Sequence, residues 1–214
     1  MSFVGPGRDC AGCPRLVAYR AENRAKFDDW HNAPVGSFGG MDGRLLVVGL
    51  APGLRGANRT GRPFTGDFAG DLLYRTLIDF GFAAGQYGAA PDDGLTLIDC
   101  QITNAVRCVP PENKPSTQEL SQCRPFLAAE SAALPRLQVV LALGRVAHDA
   151  VVTVLGQRRA AYPFGHGARH VIDDAPTFYD SYHCSRYNTN TRRLTPEMFE
   201  AVFADIRAEL DAAD

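Results

Sequence analysis

The chain has 214 residues, of which 45% are hydrophobic and 21% charged, and its net charge is −2. These values fit one globular domain, 1–214, and exclude polyanion binding through bulk charge, although a local basic groove is compatible with them. No apolar run reaches transmembrane length, and the first ten residues lack the apolar stretch of a signal peptide. We therefore expect a cytoplasmic protein with no membrane partner.

Strand and helix patterns alternate along the first half of the chain. Residues 15–30 and 71–80 have the apolar spacing of helices, and the apolar run 44–49 is typical of a buried strand. Segment 31–43, with four glycines and a proline, predicts a loop. The glycine-rich stretch 49–70 follows the strand, and glycines there let the backbone approach a ligand closely.

The same alternation continues to the end of the chain. Further strands are predicted at 95–103, 137–143, 170–172 and 177–182, and further helices at 116–133, 144–155 and 195–210. The sequence therefore predicts a three-layer α/β/α sandwich around a mostly parallel central four-stranded sheet. In such sheets ligands bind beyond the carboxyl ends of the strands, which gathers 49–70, the segment after 103, and 182–188 at one edge.

Six cysteines in an intracellular chain favour metal binding over disulfides. Cys10 and Cys13 form a C-x-x-C motif, and Cys108 and Cys123 form a second pair with fourteen residues between them. If the pairs converge, four thiolates suit either Zn²⁺ or a [4Fe–4S] cluster, and the spacing alone favours neither. Cys100 alternates within an apolar strand and is expected in the core.

The loop 49–70 has neither G-x-x-x-x-G-K-[ST] nor G-x-G-x-x-G, so ATP and NAD binding have little support. It contains Phe64, which would serve either as a stacking surface for a planar base or as a hydrophobic anchor of the loop. Asp67 would be either a catalytic acid or the N-cap of the next helix. Position alone favours the anchor and the cap.

Polar side chains follow the other strands at this edge. Asn104 has the donor and the acceptor needed to read a base edge, although asparagine is also a common turn residue. His183 and Ser185 lack the G-x-S-x-G elbow of serine hydrolases, and Ser185 suits a phosphate contact equally well. Asn188 belongs to the same segment.

Together these segments resemble the uracil-DNA glycosylase superfamily, and within it the iron–sulfur enzymes of family 5, or type B. GLAPG at 49–53 resembles the first motif of the family, and GANRTGRPFTGD at 56–67 resembles its continuation. ITNAVRCVPPENKPS at 102–116 resembles a segment shared with family 4, and YHCSRYNTNTRRLT at 182–195 resembles the second motif. The resemblance covers nearly the whole chain, from Cys10 to the final helix.

The resemblance implies a monofunctional glycosylase that removes uracil, and other deaminated bases such as hypoxanthine, from DNA and so initiates base excision repair. In the family pattern, Phe64 stacks on the extruded base, Asn104 faces its edge and His183 lies at the pyrimidine O2. The full set of implied residues is Asp67 and His183 for catalysis, Gly49, Ala51, Gly53, Phe64, Asn104, Ser185 and Asn188 for substrate binding, and Cys10, Cys13, Cys108 and Cys123 for a structural [4Fe–4S] cluster, with zinc as the alternative. A monomer is expected, with DNA as its partner.

Two departures from the family pattern matter. Cys184 stands where the second motif usually has proline, which places a thiol that could be reactive beside the site. No acid lies within 50–63, where other branches have one. A non-catalytic damage-binding iron–sulfur module is therefore an alternative. A covalent uracil-DNA-trapping relative is a second alternative, although residues 49–70 contain no histidine that would be its nucleophile. The candidate contacts to the DNA backbone are Arg59, Arg62, Arg186, Arg192 and Arg193.

Overall fold

The computed structural model describes residues 3–213, so the ends of the predicted 1–214 domain lie outside the described residues. The helices are α1 (Pro14–Lys26), α2 (Ala57–Thr60), α3 (Phe68–Asp79), α4 (Thr117–Ala133), α5 (Arg145–Val154), α6 (Arg186–Asn190) and α7 (Pro196–Asp211). The strands are β1 (Phe38–Gly39), β2 (Leu45–Gly49), β3 (Ala83–Ala84), β4 (Thr96–Leu97), β5 (Cys100–Asn104), β6 (Val139–Leu143), β7 (Arg169–His170) and β8 (Thr177–Ser181). No helix among them is both long and apolar enough to cross a membrane.

Four parallel strands form the centre of a sheet with the order β1-β5-β2-β6-β8-β7. The two outer strands, β1 and β7, each have two residues and pair antiparallel with their neighbours. The α/β fold with a mostly parallel sheet is confirmed, but the sheet has six strands rather than the predicted four. Phe38–Gly39 becomes a strand only through its pairing with β5, which the local glycine-rich sequence does not indicate.

Alternate residues of the central strands face two separate cores. Leu45 and Val47 of β2 pack in a core with residues of α3 and α7. Leu46 and Val48 pack on the other side with residues of α4 and α5. Every residue of β2 and β6 is buried, as expected for parallel strands covered on both faces.

The predicted strand 95–103 is divided in the structure. Asp99 has a φ of 53°, in the left-handed region, and its carboxylate accepts hydrogen bonds from the Arg44 amide at 2.9 Å and from Arg44 Nε at 2.6 Å. The chain turns there, so that β4 pairs with β3 in a separate ribbon while β5 enters the main sheet. The turn sets the register in which Asn104 lies beside Gly49.

Candidate active site

The carboxyl ends of β2, β5 and β8 surround a cavity of about 380 Å³. Gly49 and Asn104 end neighbouring strands and face each other in register, and His183 follows the end of β8 by two residues. The cavity is lined by Leu50, Ala51, Pro52, Gly53, Ala57, Phe64, Asp67, Phe68, Ala69, Asn104, Asn113, His183, Ser185 and Arg186. The predicted gathering of three segments at one sheet edge is therefore confirmed.

Gly49 is required by the side chains packed against it. A Cβ at this position would lie 2.4 Å from Asn104 Oδ1 and 2.6 Å from Phe64 Cζ. These contacts are closer than any side-chain carbon tolerates, so only glycine lets both groups meet above the end of β2. Gly49 is not among the residues that line the cavity. It supports Asn104 and Phe64, and its role as a substrate contact stays a prediction.

Phe64 combines the two roles that the sequence presented as alternatives. Its side chain belongs to the core that includes α3, and its ring also lines the cavity. The ring lies 5.9 Å from that of His183, with 27° between the two planes. Its φ of 51° is strained for a residue with a side chain. Tyr74 holds the turn in place by donating a hydrogen bond to the Pro63 carbonyl at 2.6 Å.

His183 is neutral at physiological pH because burial lowers its pKa to about 4. The side-chain amide of Asn188 donates a hydrogen bond to the His183 carbonyl at 2.8 Å and fixes the backbone of this segment. Ser185 is the N-cap of α6, and its hydroxyl accepts a hydrogen bond from the backbone amide of Asn188 at 3.4 Å. Asn188 thus supports the cavity wall but is not among the residues that line it. Ser185 both caps α6 and lines the cavity.

Asp67 occupies the N-cap position of α3, but its side chain makes no capping hydrogen bond. Its Oδ1 atom is buried without a hydrogen-bond partner, and its Oδ2 atom lies against Gly53 and Gly56. Burial is the largest influence on this group and raises its pKa, while the nearby amides of Gly70 and Ala69 lower it by less. The N-cap position accounts for an aspartate at the start of α3, but the carboxylate does not cap the helix and lines the cavity instead.

Backbone donors complete the cavity wall. The amides of Ala51 and Gly53 have no acceptor within residues 3–213, and both residues line the cavity. The preceding segment is held by the amides of Ala105 and Val106, which donate to the Gly49 and Leu50 carbonyls at 2.9 and 3.0 Å. Two free N–H groups on a fixed loop form a site for an oxygen that gains negative charge.

Cys184 does not place a reactive thiol beside the site. The side chain is completely buried in the core that contains α3 and α7, and burial raises the pKa of the thiol. Reactive cysteines are partly exposed and have lowered pKa values, so the expectation of reactivity is wrong. Cys100 is also buried, as predicted.

One of the five arginines proposed as DNA contacts is buried. Arg62 pairs with Asp93, and the two side chains are each only 5% exposed. Its guanidinium also lies over the rings of Phe38 and Tyr74. Arg62 is therefore a structural residue. The other four, which are exposed and form no ion pair within the described part of the chain, are Arg59, Arg186, Arg192 and Arg193.

The two cysteine pairs converge, as predicted, on a second cavity of about 200 Å³. Cys13 immediately precedes α1, Cys123 lies in α4, and Cys10 and Cys108 belong to adjoining loops. Within residues 3–213, no three of these thiols have sulfur atoms that all lie within 4.8 Å of one another. The ligands of one tetrahedral zinc stand about 3.8 Å apart, given Zn–S bonds near 2.3 Å. The described thiols are therefore not arranged as closely as the ligands of one tetrahedral zinc.

Hydrogen-bond donors point at the sulfur atoms of this second cavity. The Arg107 amide lies 3.3 Å from Cys123 Sγ, and an Arg20 amino group lies 3.8 Å from Cys108 Sγ. Burial raises the pKa of the Cys108 thiol to about 12, and it also raises the pKa of the Cys123 thiol. Arg20 and Arg107 favour the thiolates, which are the ligand form of cysteine, but by less than burial opposes them.

Several cavity residues were not identified from the sequence. Phe68, Ala69 and Asn113 line the cavity, and Asn113 has a left-handed φ of 56°. Tyr187 follows the lining residue Arg186 and is 72% exposed. An aromatic residue inside the polar segment 182–195 is the signal that would have pointed to Tyr187. Asn113 gave no such signal, because it lies in a proline-rich loop.

The fold and the cavity define the chain as a mostly parallel α/β sandwich with a small-molecule-sized cavity, lined by both apolar and polar side chains, at the carboxyl edge of its sheet. Residues 37–207 match the family model described as the uracil DNA glycosylase superfamily, and the chain belongs to that superfamily. The chain is 43% identical to a type-5 uracil-DNA glycosylase of Thermus thermophilus, over 96% of each protein. It is 40% identical to one of Pyrobaculum aerophilum, over 98% of this chain and 92% of that protein. The resemblance to the type-5 branch is therefore confirmed.

Proposed function

We propose that the chain is a monofunctional uracil-DNA glycosylase that hydrolyses the N-glycosidic bond of uracil in DNA. The observation that carries this proposal is the cavity in which Phe64, Asn104 and His183 converge from three chain segments. Its volume is at the lower end for small-molecule sites, which suits one extruded base with its sugar. The matched family and relatives support the same reaction.

The base is held by one stacking face and one hydrogen-bonding face. Phe64 stacks on it, and the Asn104 amide offers both a donor and an acceptor to its edge. Asn104 is 3% exposed and in contact with its supporting residue Gly49, so the amide is fixed before the base arrives. Hypoxanthine and other deaminated bases present a similar carbonyl and N–H pair, and we include them in the proposed substrate range.

Bond breakage places negative charge on the base and positive charge on the sugar. The neutral imidazole of His183 and the amides of Ala51 and Gly53 donate hydrogen bonds to the carbonyl oxygen that gains charge. Water then adds to the sugar carbon, and its proton is released to Asp67 or to solvent. Asp67, with its unpartnered oxygen, orients that water and stabilises the cation. The described lining residues include no lysine, so no Schiff base with the sugar is proposed.

DNA is held by the exposed surface around the cavity mouth. Arg59, Arg186, Arg192 and Arg193 contact phosphates, and each neutralised phosphate adds about −0.9 to the salt slope of binding. The exposed Tyr187, which follows the lining residue Arg186 in the chain, acts as a wedge that fills the space left by the extruded base. DNA binding should therefore weaken as the salt concentration rises, and base extrusion should depend on the Tyr187 ring.

We assign the four thiols of Cys10, Cys13, Cys108 and Cys123 to a [4Fe–4S] cluster rather than a single zinc; the assignment is supported by the cavity that they line and by the lack of three mutually close sulfur atoms among the described residues. When bound, such a cluster joins the N-terminal loop, α1 and α4 and has a structural role. Iron and sulfide in equal amounts would support it. Stoichiometric zinc without iron would contradict it.

The proposed reaction is tested by incubating the protein with uracil-containing and hypoxanthine-containing oligonucleotides, single- and double-stranded. Release of free uracil is the expected result. A mobility shift without cleavage would identify a damage-binding module instead, and an adduct stable in SDS would identify a covalent trap. An unmodified oligonucleotide is the control. Hypoxanthine release tests the wider substrate range separately.

A further inference from the structure

Three titratable side chains meet outside the active site, near the β7–β8 edge of the sheet. Asp180 lies in β8, His170 in β7 and His148 in α5. Asp180 Oδ1 is 2.8 Å from His148 Nδ1, and Asp180 Oδ2 is 3.1 Å from His170 Nε2. One ligand atom from each residue lies within 4.8 Å of the other two. We call these three residues the His–Asp–His cluster.

The carboxylate of this cluster is buried without an ion pair to a lysine or arginine among the described residues. The Asp180 side chain is fully buried, and its ion-pair partners within residues 3–213 are the two histidines alone. Its other side-chain hydrogen bond comes from the Gly165 amide, at 3.3 Å. A buried carboxylate is costly unless its charge is neutralised. A metal ion shared by all three side chains would neutralise this carboxylate.

We propose that the His–Asp–His cluster binds a divalent transition-metal ion, and that Zn²⁺ is its preferred occupant. Two imidazole nitrogens and one carboxylate oxygen form a ligand set that zinc uses in proteins. Zinc bonds of 2.0–2.2 Å place neighbouring ligands about 3.3–3.6 Å apart. The nitrogen–oxygen distances of 2.8 and 3.1 Å therefore have to widen by roughly 0.2 to 0.8 Å. His170, whose side chain is 10% exposed, marks the side from which an ion and a water ligand enter.

The surroundings hold the ligands in place before an ion binds. The ring of Phe178 lies 5.1 Å from both imidazole rings, and Phe164 lies 5.5 Å from that of His148. The Gly165 amide orients the carboxylate, as hydrogen bonds to metal ligands commonly do. Rings packed in this way lose little conformational freedom on binding an ion.

A metal ion here would act on the fold and not on the chemistry. No member of the cluster lines the active-site cavity, so the site goes beyond the proposed function and does not depend on it. It joins α5, β7 and β8 with the loop that contains Gly165. Asp180 precedes His183 by three residues, so the ion would stiffen the strand that carries the cavity histidine.

The test compares Zn²⁺ binding by the purified full-length protein with that of His170→Ala and Asp180→Asn. The matched control is His166→Gln, which removes a neighbouring histidine that bonds Ser181 and Tyr182 but not Asp180. All four proteins keep their cysteines, so zinc bound there cancels in the comparison. Bound zinc is counted by elemental analysis after equilibrium dialysis near neutral pH, and thermal melting is recorded with zinc and with EDTA.

We expect wild type and His166→Gln to bind one more zinc per chain than the two cluster variants. Loss of one ligand should weaken this site by about 100-fold or more, since removing a group that merely orients a ligand costs about 10–100-fold. Zinc should raise the melting temperature of wild type and His166→Gln, and not that of the two cluster variants. Equal stoichiometry and affinity in all four proteins, or no zinc-dependent stabilisation of wild type, would identify a hydrogen-bonded triad only and overturn the proposal. Melting in EDTA verifies that each variant is folded.

Discussion

Replacing Gly49 with alanine tests how the base-binding side chains are held. The new Cβ would lie 2.4 Å from Asn104 Oδ1 and 2.6 Å from Phe64 Cζ, whereas ordinary contacts begin near 3.4 Å. Both groups therefore have to retreat by about 1 Å, and a misplacement of that size costs roughly 100-fold in rate. The backbone itself tolerates alanine, because Gly49 is in an extended strand without a positive φ. We expect single-turnover excision of uracil to slow by about 100-fold.

The control for this variant is Gly36→Ala. Gly36 is exposed, and a Cβ there would have no neighbour within 4 Å, so its excision rate should equal that of wild type. Circular dichroism and thermal melting would establish that both variants are folded. A wild-type excision rate in a folded Gly49→Ala protein would refute the reasoning, because Asn104 and Phe64 would then not depend on the close approach that glycine allows.

Three further predictions follow from the site. Asp67→Asn should abolish most excision and keep DNA binding, and wild-type single-turnover rates in this variant would remove Asp67 from the mechanism. The same change should raise the melting temperature at pH 7, because burial raises the pKa of Asp67 and the ionised carboxylate destabilises the fold. His183→Ala should slow excision by about 10²–10³-fold. The pKa of His183 falls from 6.5 to about 4 on folding. As the pH is lowered from 6.5 to 4, the wild-type protein should therefore lose more of its free energy of unfolding than this variant does. Parallel plots of that free energy against pH for the two proteins would contradict the shift. Arg62→Ala should cost about 3–5 kcal/mol of stability by leaving Asp93 unpaired, without changing the salt slope of DNA binding. Arg75→Ala, which removes an exposed ion pair, is its control, and a reduced salt slope in Arg62→Ala would restore the DNA-contact role.

Local signals in the sequence located much of the fold. Ser116 and Glu119 predicted the start of α4, and each side chain accepts the hydrogen bond from the backbone of the other, at 3.2 and 2.7 Å. The apolar runs predicted β2 and β6 because parallel strands are buried on both faces. Such features depend on residues a few positions apart, which is why a pattern in one segment is sufficient.

Features that depend on distant partners were not predictable in this way. The strand 95–103 is divided at Asp99 because Arg44, far away in the chain, binds its carboxylate. Arg62 looked like a phosphate contact in a polar loop, but Asp93 and three aromatic rings bury it. In each case a residue type fitted two environments, and packing with a remote segment selected one of them.

The sequence by itself determined the family and the three segments that meet at the candidate site, and the family resemblance predicted the convergence of the two cysteine pairs. Motif order and spacing are enough for these, because parallel strands bring their carboxyl ends to one edge. Only the tertiary structure decided the direction of each side chain. It turned Asp67 away from its cap, buried Cys184, and brought His148 and Asp180 into contact across 32 positions of the chain. Direction and burial depend on which distant residues fill the surrounding space, and no local pattern contains that information.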